Sequence, residues 1–347
     1  MVICADLRYF SQSMPRSLAA VIFWATLLTS VAPAQSPRFI IDDDEYVEQI
    51  TLAGAKLVAK GKLLALDSLR RQVHTRPCNL KPASPSYQKL EPPALYDHLR
   101  ASTLTLGTLY KCRDCGDWHF NGSAGFVVGE NGVVCTCCHV VMAQDDDVKE
   151  GYLLAADAEA HVFPVQSVLA ADTDSDTCFV KVDAPALKPL LLRAGIRPGE
   201  RVYCLSHPGG YYFMFTQGMV ARLNRRPNDV VDEHGKTNGL LTRPILFLNI
   251  TAEFAPGSSG APVVDEAGNV VAQVASIADA GEPAGDEQNS PASPSVPVRF
   301  CTATEEILRL TQPGLASQPA VRSPKPKIAA PGPNKNPKTH KSANSTN

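Results

Sequence analysis

A glycine-rich turn around Ser259 combines the residue types that nucleophilic catalysis needs. Glycines precede and follow the pair Ser258-Ser259, and an apolar run begins directly afterwards. Such a turn exposes a serine hydroxyl, and a glycine at 257 lets backbone N–H groups turn inward to hold an oxyanion. The pattern predicts a nucleophile beside an oxyanion hole, although an ordinary Gly/Ser turn has the same composition.

Two earlier segments supply a base and a carboxylate. His139 ends a β-rich run, and an acidic turn containing Asp172, Asp174 and Asp176 precedes an apolar strand. Taken alone, the histidine is typical of a core or surface residue and the acidic turn of a solvated loop. Together with Ser259 they give the chain order His, Asp, Ser, which differs from the orders of subtilisin and of the α/β-hydrolases.

These segments resemble the trypsin-like serine proteases, especially those of the bacterial high-temperature-requirement type. Residues 136–141 resemble the family's T-x-A-H-V-V, residues 176–182 its D-x-A-x-x-K-V, and residues 256–262 its P-G-N-S-G-G-P. Residues 204–210 and 218–220 resemble its G-x-P-x-G and S-G-x-V stretches. The likeness covers roughly residues 103–310, with the four motifs in the family's order.

The resemblance implies an all-β, chymotrypsin-like fold of two six-stranded antiparallel β-barrels, with the site between them. It implies that His139 is the general base, that Asp176 orients its ring and that Ser259 attacks the substrate carbonyl. Asp176 is preferred to its neighbours because it directly precedes the strand. The N–H groups of Gly257 and Ser259 would form the oxyanion hole.

Substrate-binding residues follow from the same resemblance. Ala275 and Ser276 would lie on the strand that pairs with the substrate backbone. Glu253 would lie near the floor of the specificity pocket, where an acid favours Arg or Lys in the substrate. The chain departs from the family pattern at Ser258, which replaces Asn, and at Ala261, which replaces the second Gly.

The elements that must position these residues form the middle of the chain. Residues 103–310 contain many short apolar runs between turn signals, which predict an all-β domain. Residues 36–76 are predicted to be a helical extension, with one helix from residue 42 to about 76. Residues 77–102 are predicted to be a proline-rich linker. We expect no PDZ-like domain after Leu310, because the segment that follows is short.

Both ends differ from the middle in composition. Residues 1–35 combine basic residues, an uncharged apolar run and an Ala-Pro-Ala site, which predicts a cleaved signal peptide and export to the periplasm or the exterior. The alternative is an uncleaved membrane anchor. Residues 311–347 lack Asp and Glu and are predicted to be a disordered basic tail, either simply solvated or in contact with an anionic cell envelope.

The cysteines allow several interpretations. Ten are present, and nine remain after loss of the predicted signal peptide. Cys112 and Cys115 form a C-x-x-C pair, for which we expect a local disulfide in an oxidising compartment. Half of a zinc site, completed by His119 with Cys135 or Cys137, and free thiols are the alternatives. Buried free cysteines otherwise pack as small apolar residues.

The sequence therefore favours an exported serine endopeptidase that acts on polypeptides and needs no cofactor or metal. With 33 Lys and Arg against 35 Asp and Glu, the net charge of -2 argues against a nucleic-acid partner. One alternative is a trypsin-like pseudo-protease that binds extended peptides or envelope partners without cutting them. Another is a hydrolase that uses Cys138 or Cys178, which is disfavoured because the nucleophile turn carries serine.

Overall fold

A computed structural model describes most of the middle of the chain. The described residues are 38–74, 76–143, 148–184, 187–226, 229–231, 237–240, 243–280 and 296–312. The predicted signal peptide and nearly all of the predicted basic tail lie outside these ranges. Among the described residues, no helix is long and apolar enough to cross a membrane.

Within the described residues, three helices precede the first strand. They are α1 (Asp43–Ala59), α2 (Leu66–Arg70) and α3 (Pro92–Arg100). Helix α1 begins where the Asp42 side chain accepts the Glu45 N–H at 3.0 Å, a capping bond that satisfies one of the free donors of the first turn.

The predicted single helix over residues 42–76 is wrong beyond Ala59. Gly61 adopts φ 64°, the left-handed conformation that ends a helix, and only the short α2 follows. The segment predicted to be a linker contains α3, because prolines in the first turn of a helix lose no hydrogen bond.

Helix α1 packs on the first barrel through Tyr46 and Gly54. The buried Tyr46 hydroxyl lies 2.9 Å from Thr105 Oγ1 and donates to the Asp157 carbonyl at 2.9 Å. A β-carbon at Gly54 would come within 2.8 Å of the Leu109 side chain, so glycine permits the close approach of helix and strand. The helix is thus part of the packed unit that contains the barrels.

Residues 76–90 form neither a helix nor a strand apart from a bridge at Arg76, and we call them the strap. Arg76 exchanges backbone hydrogen bonds with Ala171 at 2.8 and 3.0 Å. Farther on, the N–H of Ser86 donates to the Asn269 side chain at 2.8 Å. The strap therefore contacts both barrels, a strand of the first and a turn of the second.

The first barrel closes around an apolar core of leucine, valine and cysteine side chains. Its strands are β1 (Thr103–Cys112), β2 (Trp118–Gly129), β3 (Val133–Thr136), β4 (Val148–Ala156), β5 (Val162–Asp172) and β6 (Thr177–Val182). They are antiparallel in the order β1-β2-β3-β6-β5-β4, with β1 pairing to β4 to close the barrel. A one-turn helix, α4 (Cys138–Met142), directly follows β3.

The second barrel has six strands in the order β11-β14-β13-β12-β7-β8. The strands are β7 (Arg201–Ser206), β8 (Met214–Arg226), β11 (Ile245–Ile250), β12 (Pro262–Val264), β13 (Val270–Ala280) and β14 (Val296–Ala303). A small pair, β9 (Asp229–Val231) and β10 (Thr237–Leu240), lies between β8 and β11 in the chain, and α5 (Thr304–Thr311) follows β14. The predicted all-β fold of two closed six-stranded antiparallel barrels is confirmed.

A buried ionic cluster joins the two halves of the unit. The Arg243 guanidinium contacts the carboxylates of Asp172, at the end of β5, and Glu306, in α5. Because removal of one partner would leave an uncompensated buried charge, the three residues fix the relative position of these elements.

Candidate active site

Helix α4 presents His139 to the acidic turn between β5 and β6. The Asp176 carboxylate accepts two hydrogen bonds from His139, one from its backbone N–H at 2.9 Å and one from ring Nδ1 at 2.5 Å. The backbone carbonyl of Asp176 also accepts the Cys138 N–H at 3.3 Å. This double contact places the proton of the neutral ring on Nδ1 and leaves Nε2 as the basic nitrogen.

Burial and the Asp176 carboxylate have opposite effects on the pKa of His139. Burial lowers the pKa of His139, and the hydrogen bond and charge of Asp176 raise it by more, so that the pKa lies above the ordinary value. The ring remains half exposed, at 50% of its side-chain surface. His139 is therefore both oriented by Asp176 and open on one side to a substrate.

Of the three acidic residues in the turn, Asp176 is the one whose carboxylate contacts His139. It adopts φ 52°, a left-handed conformation that Asp tolerates better than most residues. The Asp172 carboxylate is buried and engaged with Arg243 and with the Asp174 N–H. Asp172 therefore stabilises the turn that presents Asp176.

The Ser259 turn is held by strands of both barrels. The Ser259 carbonyl accepts the Ala124 N–H of β2 at 2.9 Å, and the Gly260 N–H donates to the Val274 carbonyl of β13 at 2.9 Å. Gly260 has φ 84°, and a β-carbon there would lie 2.2 Å from the Ala124 carbonyl oxygen. The same β-carbon would lie 2.6 Å from Oγ1 of Thr136, which is three residues before His139. The turn and His139 thus share the junction between the barrels.

Backbone contacts fix the peptide group that precedes Gly257. The Pro256 carbonyl accepts the Gly209 N–H at 2.8 Å. Since the peptide is planar and trans, the Gly257 N–H points away from Gly209. Within the described part of the chain, neither the Gly257 N–H nor the Ser259 N–H has an acceptor. Both donors are available to an anion, as an oxyanion hole requires.

Gly257 is required by conformation and by space. Its φ is 94°, and a β-carbon at this position would lie 2.6 Å from the His207 carbonyl oxygen. His207 itself is buried, and its Nδ1 accepts the Phe213 N–H at 3.0 Å. Burial lowers the pKa of His207 to about 4, so the ring stays neutral and supports the turn that holds the Pro256 carbonyl.

The substrate-binding candidates lie on two elements. Ala275 is half-buried and Ser276 exposed on β13, where a bulge interrupts the pairing with β14. Strand β12 pairs with β13 as far as Gln273, and the backbone of Val274 bonds to Gly260 and Ala261. Within the described residues, the edge of β13 is open to an added strand from Ala275 onward. Glu253 is exposed, and its carbonyl accepts the Thr216 hydroxyl at 2.8 Å. The structure places Glu253 on the surface.

Sequence reasoning missed Gln273. This buried residue of β13 donates from Nε2 to the Asp176 carbonyl at 3.3 Å and to Cys137 Sγ at 3.0 Å. Its Oε1 accepts the Cys135 thiol at 2.9 Å. It therefore links the second barrel to the strand and turn that carry His139 and Asp176. A lone glutamine inside the apolar run 270–275 was the available signal.

The nine cysteines among the described residues are all unpaired. The disulfide expected between Cys112 and Cys115 is not formed, and Cys115 Sγ instead lies 3.0 Å from His119 Nε2. Cys138 and Cys178 are buried, and the Cys138 thiol donates to the Thr177 carbonyl at 3.2 Å. Neither therefore points to a nucleophilic role.

Comparison with known proteins finds peptidases that are similar to the central part of the chain. Residues 122–272 match the family model described as a trypsin-like peptidase domain. Serine protease HTRA1B of Danio rerio is 31% identical over 151 residues, which are 43% of this chain and 29% of that protein. A probable periplasmic serine endoprotease DegP-like of Halomonas elongata is 27% identical over 154 residues, 43% of this chain and 28% of that protein.

The matched region spans less than a third of each of these two relatives. Among solved structures, the HtrA-type protease AlgW with decapeptide covers 64% of this chain and 67% of its own, at 18% identity and a TM-score of 0.47. The fold and the family match define a trypsin-like peptidase domain. Within that class, the chain is similar to HtrA- and DegP-like serine proteases over the matched region.

Proposed function

We propose that the chain is an exported serine endopeptidase that hydrolyses peptide bonds through an acyl-enzyme. The observation that carries this proposal is the double contact of His139 with Asp176. It leaves a basic Nε2 at the junction that also holds the Ser259 turn. The free N–H groups of Gly257 and Ser259 supply the complementary anion site.

The proposed reaction has two halves. Ser259 Oγ bonds to the substrate carbonyl carbon as its proton passes to His139 Nε2, and the resulting oxyanion accepts the N–H groups of Gly257 and Ser259. The tetrahedral adduct collapses, His139 protonates the leaving amine and the acyl-enzyme remains. Water then gives a proton to His139 and attacks the ester, which releases the acid and restores Ser259. Asp176 stabilises the imidazolium formed in each half.

The substrate class follows from the open edge of β13. An extended polypeptide pairs with this edge near Ala275 and Ser276, where backbone hydrogen bonds give affinity without demanding a sequence. Such pairing selects unfolded or flexible segments. Glu253, being exposed, contributes a weak preference for basic residues, because attraction between solvated charges is small.

Export rests on the composition of residues 1–35, and contact with an anionic envelope rests on the acid-free tail. Fusion of residues 1–40 to a reporter that works only outside the cytoplasm tests the first. Export of the reporter, followed by shortening of the fusion near residue 34, is expected. A full-length fusion retained in the cytoplasm would remove this part of the proposal.

Fluorophosphonate labelling tests the catalytic proposal. The purified wild type is expected to be labelled and to degrade an unfolded protein, whereas Ser259→Ala does neither. Ser258→Ala is the matched control, because Ser258 is the adjacent serine and its buried hydroxyl has no partner within the described structure. Labelling that survives Ser259→Ala but not Ser258→Ala would place the nucleophile elsewhere. An unlabelled wild type would favour the pseudo-protease.

A further inference from the structure

The hairpin between β1 and β2 carries a cluster that the proposed catalytic mechanism does not use. Cys112 ends β1, Cys115 lies in the turn and His119 is the second residue of β2. One ligand atom from each of the three residues lies within 4.8 Å of the other two. We propose that Cys112, Cys115 and His119 bind Zn²⁺, which clamps the tip of this hairpin.

The spacing of the three ligand atoms suits a tetrahedral ion. Zn²⁺ binds thiolate sulfur at about 2.3 Å and imidazole nitrogen at about 2.0 Å, which sets neighbouring ligand atoms about 3.5 to 3.8 Å apart. Cys115 Sγ and His119 Nε2 are 3.0 Å apart. An ion is therefore accommodated by a small outward movement of exposed side chains, with no change in the strands.

The turn is built in a way that supports thiolate ligands. Gly116 adopts φ 75°, which favours glycine, and no atom lies within 4 Å of a β-carbon built there. Glycine is therefore needed here for the backbone conformation and not for space. The turn brings the Asp117 N–H to 3.4 Å from Cys115 Sγ. The Cys112 N–H donates to the Asp117 carbonyl at 3.0 Å and closes the hairpin.

The histidine ring is oriented from the neighbouring strand. Tyr110 is the cross-strand partner of His119, and the two rings stack with centroids 5.5 Å apart and planes 29° apart. Such support from surrounding residues fixes the direction of a metal-binding nitrogen. The stack leaves Nε2 on the side of Cys115.

The donor set selects the metal. Two thiolates and one imidazole favour Zn²⁺ over the hard cations Mg²⁺ and Ca²⁺, which bind carboxylate and carbonyl oxygen. The two thiolates neutralise the charge of the ion. Arg113, the nearest cation in the turn sequence, is bonded through Nε to the Val148 carbonyl at 3.2 Å. Water completes the fourth position, since all three residues face solvent at least in part.

Metal content and cobalt spectroscopy of the full chain test this proposal. Protein purified in the presence of a reductant is expected to hold about one equivalent of Zn²⁺ after dialysis, measured by mass spectrometry of the metal. Replacement by Co²⁺ should give thiolate-to-metal charge-transfer bands and the intense visible bands of a tetrahedral ion. The double variant Cys112→Ser with Cys115→Ser should lose both the zinc and the bands.

Three further variants make the result specific. Cys78→Ser, which removes a free thiol elsewhere, should keep the metal. His139→Ala should also keep it, which distinguishes this site from the second group of potential ligands at Cys137, His139 and Asp176. His119→Gln, which keeps both thiols if the double variant fails to fold, should weaken binding at least about tenfold.

Several outcomes would overturn the proposal. Reduced wild type that binds no Zn²⁺ or Co²⁺ above the level of the double variant would exclude the site. Metal lost from His139→Ala but kept by the double variant would assign the ion to the other group. A Cys112–Cys115 disulfide in untreated protein, with no metal binding after reduction, would show that the pair is a redox couple.

Discussion

Substitution of Asp176 by asparagine keeps the His139 ring but removes the carboxylate that orients it. The carboxylate accepts both the backbone N–H at 2.9 Å and Nδ1 at 2.5 Å. An asparagine oxygen that keeps the first bond turns its NH₂ group toward Nδ1. The ring then carries its proton on Nε2, and the base can no longer accept from Ser259.

The expected loss is large because one wrong tautomer disables both halves of the reaction. The equivalent change in serine proteases lowers kcat about 10⁴-fold, which corresponds to about 5 kcal/mol of activation free energy. Initial rates on a chromogenic peptide and on unfolded protein measure this loss. KM should change little, because Asp176 does not belong to the open edge of β13 that would bind substrate.

The pH profile supplies an independent readout. In the wild type, kcat/KM rises with pH as His139 loses its proton, and the raised pKa places this limb above the ordinary histidine value of about 6.5. Asparagine removes the charge and the hydrogen bond that raise the pKa. The residual activity of the variant should therefore reach its plateau at lower pH.

A second Asp–His pair offers a matched control. Asp157 accepts both the backbone N–H and Nδ1 of His161, each at 2.9 Å, in the turn between β4 and β5. Asp157→Asn should leave kcat and the pH profile unchanged. If Asp176→Asn keeps more than about a tenth of the wild-type kcat, or if both variants lose activity alike, Asp176 does not orient a catalytic base.

Three other substitutions test the surroundings of the site. Gly257→Ala should lower kcat about 10²- to 10³-fold, because φ 94° and the His207 carbonyl oxygen 2.6 Å away leave no place for a β-carbon; labelling that equals the wild type would contradict a role in the oxyanion hole. Gln273→Leu should lower the free energy of unfolding by about 1–3 kcal/mol in urea, because its buried partners lose their hydrogen bonds. It should also lower kcat with KM unchanged. Unchanged stability and rate would show that the hydrogen bond to Asp176 contributes to neither. Tyr46→Phe should cost about 1–2 kcal/mol, since it removes the contacts with Thr105 and Asp157. Tyr87→Phe, at a residue 84% exposed, is its control and should cost nothing measurable.

The all-β domain could be predicted from local pattern, whereas the two six-stranded barrels and the choice of His139, Asp176 and Ser259 came from the resemblance of the motifs to a known family. Short apolar runs between turn residues predict strands. The left-handed φ values at Gly257 and Gly260 agree with the presence of glycine, which adopts them without strain. The motifs resembling a known family then fixed which acidic residue precedes β6.

Contacts between residues that are far apart in the sequence could not be predicted from the local pattern of apolar and turn residues. The contacts of Gln273 join residues more than 90 positions apart, and Arg243 contacts Asp172 and Glu306, which lie 71 and 63 positions away. The extent of α1 was mistaken because apolar spacing continued past Gly61, whose backbone conformation ends the helix. The disulfide expectation failed because it rested on the compartment inferred for the chain, whereas the structure places Cys115 against His119.

The strap has a consequence for the order in which the unit assembles during synthesis. Its residues leave the ribosome early, but their partners come last: Cys78 donates to the Leu310 carbonyl at 2.8 Å and Leu80 to the Thr311 carbonyl at 3.0 Å. The stretch from Cys78 to Leu80 therefore cannot form these hydrogen bonds until α5 has emerged. Contacts that span more than 200 residues make closure slow and nearly all-or-none. Completion of the protease unit is thereby coupled to completion of the chain as far as Thr311.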